Sequence, residues 1–155
     1  MRIGLISDTH GRLRTEVFEL FEGVDRILHA GDIGPLDLLV ELQAVAPVTA
    51  VYGNTDRFDV RGSVDEVAEV ELAGRRVVVL HGHQLGSPTP DGLRARHPEA
   101  DIIVYGHTHR PLVDDNGILV VNPGSAGAPR FGIPPSVGIL ELTGTASVRH
   151  LELPH

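Results

Sequence analysis

The chain of 155 residues contains no cysteine. This absence excludes disulfide bonds, thiolate catalysis and cysteine-ligated zinc, and it is typical of a reducing cytoplasm. Long apolar runs are also missing, because no stretch reaches the roughly 20 residues that span a membrane. The first apolar run is too short for a signal-peptide core and meets Asp8 at once. We therefore expect a soluble, cytoplasmic protein with no membrane partner.

Basic residues are scarce, with 13 Lys and Arg against 21 Asp and Glu, and the formal net charge is −8. Broad, sequence-independent nucleic-acid binding needs a basic surface, so this balance argues against it. A small phosphoester substrate stays compatible, since bound cations would change the local sign. The length suits one core, and we expect a single domain over residues 1–155. An oligomer is possible but nothing in the sequence requires one.

Five segments are predicted as strands buried on both faces, because they are continuous apolar runs rich in Val and Ile. They cover residues 2–7, 26–30, 47–52, 75–80 and 101–105. Helix candidates cover residues 14–23, 35–43 and 91–100, and hairpins are predicted to turn at residues 73–74, 116–117 and 143–144. The first half therefore indicates parallel βαβ units and the second mostly antiparallel strands. An α/β fold of two packed sheets with helices outside accommodates both.

Potential metal ligands follow every one of these five runs. They are Asp8, His10, Asp32, Asn54, His81, His107 and His109. Ligands of open α/β sheets bind beyond the C-terminal strand ends, so these side chains converge if the strands are parallel. Each motif alone is an ordinary turn signal. Turns alone do not explain why four histidines and two aspartates occupy the same relative place.

Seven donors are too many for one cation and suit two. Mixed oxygen and nitrogen donors favour Mn²⁺, Fe²⁺, Co²⁺, Ni²⁺ or Zn²⁺ over Mg²⁺ or Ca²⁺. Two divalent ions would bring four positive charges and the two aspartates would return two, which leaves positive charge for an anion. A metal lowers the pKa of bound water from about 15.7 to roughly 7, and a metal pair clamps the attacking and leaving oxygens. Phosphate esters suit such a site, since their transition-state charge is spread over several oxygens.

Other polar residues leave alternatives open. His29 is predicted as a buried, hydrogen-bonded strand residue or as support for the site. His83 fits either such support or a substrate contact, and Arg130, in the loop of residues 122–135, fits either a solvated side chain or a phosphate clamp. The remaining histidines are predicted at the surface or in the tail; they are His97, His150 and His155.

The ordered motifs D-x-H, GD, GN, H-G-H and G-H-T-H closely resemble the calcineurin-like metallophosphoesterase superfamily, above all its small prokaryotic phosphodiesterases. The segment NPGS at residues 122–125 is familiar from the same group, and the resemblance spans residues 3–125. It implies a four-layer α/β/β/α sandwich of two mixed sheets packed face to face, with two metals, Mn²⁺ expected first, at one end. It assigns Asp8, His10, Asp32 and His109 to one metal and Asp32, Asn54, His81 and His107 to the other, with Asp32 as the bridge.

One motif departs from this family pattern. Larger phosphatases of the superfamily carry G-N-H-D, whose histidine interacts with the phosphate, whereas this chain has Thr55 after Asn54. Thr55 can hydrogen-bond a phosphate oxygen but cannot act as a general acid near neutral pH. We therefore expect a metal-activated hydroxide to hydrolyse phosphodiesters with good leaving groups. The alternatives are a weakly catalytic or non-catalytic binding scaffold like the small retromer subunit, which has a similar fold, and a nucleotide-specific enzyme.

Overall fold

The first sheet is built around the N-terminal strand. In the computed structural model, which describes residues 1–154, β1 (Arg2–Ile6), β2 (Arg26–His29) and β3 (Val48–Ala50) run parallel. Helices α1 (Glu16–Leu20) and α2 (Asp37–Gln43) connect them. The second sheet contains β4 (Val67–Leu72), β5 (Arg75–Leu80), β6 (Ile102–Val104), β7 (Leu112–Asp114) and β8 (Leu119–Asn122). The last hairpin, β9 (Ser136–Leu142) and β10 (Ala146–Glu152), returns to pair with β1.

Both sheets are mixed. The strand order is β10-β9-β1-β2-β3 in the first and β4-β5-β6-β8-β7 in the second. In the second sheet β5, β6 and β8 are parallel, and β4 and β7 are antiparallel edge strands. Helix α3 (Phe58–Arg61) follows β3, while a 3₁₀ turn (His83–Leu85) and α4 (Pro90–Arg96) lie between β5 and β6.

Alternation along the strands produces four layers. In β5, Val77 and Val79 join the core between the sheets, whereas Val78 and Leu80 pack with Leu93 of α4 on the outside. In β1, Ile3 and Leu5 face the same inner core. The outer face of the first sheet packs against α1 and α2 through residues that include Ile6, Val17, Phe21, Leu38 and Leu42. Central segments such as Val77 to Leu80 of β5 and the whole of β6 are apolar without interruption because both of their faces are buried.

The predicted architecture is confirmed: the structure is an α/β/β/α sandwich of two mixed sheets, with all five predicted strands and all three hairpins. The turn at Ala73 and Gly74 has φ values of 51° and 76°, as a tight hairpin requires. Three details differ from prediction. The helices are shorter, α3 and the 3₁₀ turn were not predicted, and the second half is less antiparallel because β6 and β8 pair in parallel.

Residues predicted at the periphery also differ in part. His97 and His150 are half-buried rather than exposed, and His150 Nε2 lies 2.7 Å from the carbonyl oxygen of Asn122. The predicted tail residue His155 lies outside the described part of the chain. Among residues 1–154, no helix combines the length and apolar character needed to cross a bilayer.

Candidate metal centre

The C-terminal ends of β1, β2, β3, β5 and β6 meet at one edge of the sandwich, and the predicted ligands follow these ends. Five of their side chains are in close range. Asp8 Oδ1 lies 3.8 Å from His10 Nε2, 3.3 Å from His109 Nε2 and 3.7 Å from His81 Nε2. Asp32 Oδ2 lies 3.8 Å from His10 Nε2 and 3.1 Å from His81 Nε2. The two carboxylates therefore lie between three imidazoles.

Two overlapping groups of this cluster have the spacing of metal ligands. One is Asp8, His10 and His109, and the other is Asp8, Asp32 and His81. Within each group the donor atoms lie within 4.8 Å of one another. Two adjacent groups that share a carboxylate fit a pair of cations better than a single one.

The other two predicted ligands border this cluster. The His107 ring centroid lies 5.1 Å from that of His81, and the His107 backbone N–H donates to Asp8 Oδ2 at 3.1 Å. Asn54 lies four residues beyond β3 and is exposed. Its neighbour Thr55 donates its backbone N–H to Asp32 Oδ1 at 3.0 Å. Among residues 1–154 the Asn54 side chain makes no hydrogen bond, so its amide is free for another ligand.

The backbone at the cluster is strained. Seven non-glycine residues among the described ones have positive φ, and five of them are predicted ligands: Asp8, His10, Asp32, His107 and His109, with φ between 48° and 73°. Few non-glycine residues adopt this region, in which Asn, Asp and His are the most frequent, and such conformations concentrate at functional sites. Backbone bonds hold the loops there, for example from Asp8 N to Gly31 O at 3.0 Å and from His10 N to Asp32 O at 2.9 Å. Four of these five residues, Asp8, His10, Asp32 and His109, belong to the close cluster.

His81 provides the clearest test of whether a cation fits. Its Nδ1 lies 2.7 Å from the carbonyl oxygen of Ala30, which can only accept, so Nδ1 carries the proton. In the neutral ring Nε2 is then a lone pair, and it faces Asp8 Oδ1 and Asp32 Oδ2. Both His81 Nε2 and Asp8 Oδ1 are buried without a hydrogen-bond partner among the described residues. Cations bound at these atoms would remove both the repulsion and the unsatisfied groups, and metal-ligating histidines usually donate their other N–H in this way.

Electrostatics keep both carboxylates ionised. Burial of Asp8 opposes its charge, but the close contact with His109 and the charge of His81 outweigh burial and lower its pKa. The pKa of Asp32 is lowered because His81 and the Thr55 N–H likewise outweigh burial. Burial disfavours a charged His81, yet Asp32 and Asp8 raise its pKa. The cluster thus attracts positive charge, which either a proton or a metal supplies.

Backbone and hydroxyl groups position Asp8. Its Oδ2 accepts from Ser7 Oγ at 2.7 Å and from the His107 N–H at 3.1 Å, which leaves Oδ1 to face the imidazoles. Ser125 Oγ donates to the Asp8 carbonyl oxygen at 3.0 Å. Asn122 Nδ2 donates to the Gly106 carbonyl oxygen at 3.1 Å. The NPGS segment therefore supports the backbone of two ligand loops.

His29 links the loops that follow β1 and β2. It is fully buried, its Nδ1 accepts from the Gly31 N–H at 3.1 Å, and its Nε2 lies 3.0 Å from Thr9 Oγ1. Thr9 Oγ1 in turn donates to the carbonyl oxygen of Ile33 at 2.7 Å. Burial lowers the His29 pKa to about 3, so the ring is neutral. This geometry is compatible with both predictions for His29, because the ring is buried and hydrogen-bonded and also positions the ligand loops.

Asp56 is a structural residue of the site that the sequence analysis missed. It is buried, and its Oδ1 accepts from the N–H groups of Ile33 at 2.9 Å and Gly34 at 3.2 Å. Its Oδ2 accepts from the Gly53 N–H at 2.9 Å. One carboxylate thus joins the loop of Asp32 to that of Asn54. The sequence offers one sign of this role, an aspartate two residues after the Gly53-Asn54 pair. Its partners are backbone groups, which a sequence does not reveal.

The predicted substrate contacts have different surroundings. Thr55 is exposed beside Asp32. His83 is half-buried, and its ring centroid lies 5.5 Å from that of His81 and 6.5 Å from that of His107. Burial and the neighbouring His81 lower the His83 pKa. Arg130 is exposed, and among the described residues its side chain forms no ion pair with Asp8 or Asp32.

The chain is similar to known phosphoesterases over nearly its whole length. The family model described as the calcineurin-like phosphoesterase superfamily domain matches residues 1–145. A Methanothermobacter thermautotrophicus protein named "Probable metallophosphoesterase" is 37% identical over 153 residues, covering 93% of this chain and 87% of the relative. Phosphodiesterase YfcE of Escherichia coli K12 is 35% identical over 170 residues, covering 91% and 88%. Vps29 of Chaetomium thermophilum has a TM-score of 0.82 at 20% identity, covering 97% and 95%, and shows the shared fold alone.

Proposed function

The chain belongs to the calcineurin-like phosphoesterase superfamily, and from this premise we propose that it is a two-metal phosphodiesterase. The observation that carries the proposal is the position of Asp32 Oδ2, which lies 3.8 Å from His10 Nε2 and 3.1 Å from His81 Nε2, between two groups of candidate ligands. The similarity to phosphodiesterase YfcE supports the reaction class.

We assign the predicted ligands to two sites. One metal is held by Asp8, His10, Asp32 and His109, and the other by Asp32, Asn54, His81 and His107. The group of Asp8, His10 and His109 supports the first set. Asp32 as the bridge is supported by its Oδ2, which lies 3.8 Å from His10 Nε2 and 3.1 Å from His81 Nε2. Asn54 and His107 border the cluster and complete the second set.

Divalent cations bound there would lower the pKa of water to about 7, supply a hydroxide nucleophile for attack on phosphorus and neutralise the phosphoryl oxygens. The chain's own residues orient the substrate. The Thr55 hydroxyl is exposed beside Asp32 and can donate to a phosphoryl oxygen. His83 is kept neutral at neutral pH by its lowered pKa, so it can donate to a bound ester without adding charge.

A preference for diesters follows from the position after Asn54. Thr55 does not titrate near neutral pH, so at this position the chain offers no proton to a departing alkoxide. Substrates with good leaving groups need no such proton.

Four further features stay predictions: manganese as the physiological metal, a cytoplasmic location, a single domain over the whole chain and an Arg130 phosphate contact.

The direct test is hydrolysis of bis(p-nitrophenyl) phosphate by metal-free protein reconstituted with Mn²⁺, Ni²⁺, Co²⁺, Mg²⁺ or Zn²⁺. We expect turnover with at least one transition metal. Because loss of a residue that merely supports a metal ligand costs about 10- to 100-fold, Asp32→Asn should reduce kcat/KM by more than about 100-fold. Asp115→Asn is the matched control, since Asp115 is exposed on the β7–β8 turn and should leave the rate unchanged.

The outcome also decides between an enzyme and a binding scaffold. If none of the five metals supports turnover and Asp32→Asn retains the metal content of the wild type, the phosphodiesterase proposal is wrong. A scaffold with the same fold is then the better explanation.

A further inference from the structure

A cavity of about 380 Å³ opens directly beside His10. Its volume lies within the range of roughly 300–1,000 Å³ that is usual for ligand pockets. The other residues that line it and bear on the argument are Pro35, Thr55, Asp56, Arg57 and Asp59. Because His10 belongs to both the cluster and the cavity, a phosphoester bound at the cluster can place one of its ester groups in this cavity.

The walls of the cavity are fixed relative to the cluster. The Thr55 N–H donates to Asp32 Oδ1 at 3.0 Å. Asp56 accepts three backbone N–H groups from the loops after β2 and β3. Gly34, which precedes Pro35, packs so tightly on the backbone of Gly11 that a side chain there would collide with it. A cavity held by such contacts is pre-formed, which favours selective binding.

Two arginines near this cavity differ in what they contact. Arg61 donates to the carbonyl oxygens of Asp56 at 2.7 Å and Asn54 at 3.2 Å, and its guanidinium carbon lies 5.1 Å from the Tyr52 ring centroid. Arg57 is exposed, and its side chain makes no ion pair or hydrogen bond with residues 1–154. Arg61 therefore stabilises the loop, whereas the Arg57 guanidinium is available to a ligand.

The lining chemistry indicates which ester group fits. A guanidinium stacks on aromatic faces, and proline supplies an apolar surface for a flat ring. A second anionic group fits poorly, because the exposed acidic residue Asp59 also lines the cavity. Taking the proposed phosphodiesterase function as given, we propose that this cavity is the subsite for an aromatic ester group and that Arg57 and Pro35 set the specificity for it.

The experiment compares phenylphosphonate with methylphosphonate, which share the phosphonate group and differ in the ring. Isothermal titration of the Mn²⁺-loaded protein measures both dissociation constants independently of turnover, and inhibition of bis(p-nitrophenyl) phosphate hydrolysis measures them at the active site. We expect the wild type to bind phenylphosphonate about 3- to 10-fold more tightly, the size of a cation–π contact. Arg57→Ala and Pro35→Ala should each reduce this ratio toward one and leave methylphosphonate affinity unchanged.

Arg96→Ala is the control, because Arg96 is an exposed arginine of α4 outside the cavity and should keep the wild-type ratio. Equal affinities of the wild type for both phosphonates would overturn the proposal, as would a ratio that survives in both cavity variants. Failure of the phosphodiesterase proposal is recognised separately, as a complete lack of metal-dependent hydrolysis. The calorimetric ratio then still reports on the cavity.

Discussion

Removal of the Asp56 carboxylate should strongly destabilise the protein. Asp56→Ala leaves three buried backbone N–H groups without an acceptor, those of Ile33, Gly34 and Gly53. Each unsatisfied donor costs about 1–3 kcal/mol, and the losses are not fully additive in a domain whose total stability is about 5–15 kcal/mol. We expect the free energy of unfolding to fall by about 3–5 kcal/mol.

Urea unfolding of the metal-free protein, followed by circular dichroism, measures this loss without any contribution from bound cations. Asp56→Asn keeps the shape of the side chain and the oxygen that accepts from the Ile33 and Gly34 N–H groups. Its free energy of unfolding should therefore fall by less, about 1–3 kcal/mol. Asp59→Ala is the matched control, because Asp59 is exposed and should change stability by no more than about 0.5 kcal/mol. A loss below about 1 kcal/mol for Asp56→Ala would show that water replaces the carboxylate, and the reasoning would fail.

Three further predictions concern other parts of the fold. Gly53→Ala should abolish high-affinity Mn²⁺ binding in calorimetry, because the added methyl group would overlap the carboxylate of Asp32; unchanged affinity would contradict the geometry. Ala73→Asn should raise stability by roughly 0.5–1 kcal/mol in urea unfolding, since the residue has a φ of 51° that Asn tolerates better; a loss would refute this. The pKa of His29 is lowered to about 3 by burial, whereas an unfolded histidine titrates near 6.5. Between these two pKa values the unfolded chain binds one more proton than the folded chain, so acidification favours unfolding. From about pH 6.5 to 4.5 the free energy of unfolding of the metal-free protein should fall by up to about 1.4 kcal/mol per pH unit. His29→Asn should reduce this slope.

Much of the fold could be predicted because burial on both strand faces is visible in a sequence. Runs such as Val77 to Leu80 are apolar at every position since alternate residues enter two different cores. Helix α3 could not be predicted, because one turn with an exposed Phe58 shows no helical periodicity. The parallel pairing of β6 with β8 also escapes prediction, since the intervening β7 hairpin dominates the local pattern.

The candidate site was predictable in its chemistry and less so in its supports. Aspartates and histidines directly after buried strands indicate convergence, and the structure brings five of the seven predicted ligands into close range. The contacts that hold them depend on distant backbone groups. Asp56 bonds to residues 22 and 23 positions away, and Ser125 to one 117 positions away. Such partners become visible only when the chain is folded.

The most direct test of the two-metal centre is anomalous diffraction from crystals grown with Mn²⁺. The account predicts two manganese peaks per chain, one near His10 and His109 and one near His81 and His107, both next to the carboxylate of Asp32. A single peak, or manganese bound away from Asp32, would contradict it.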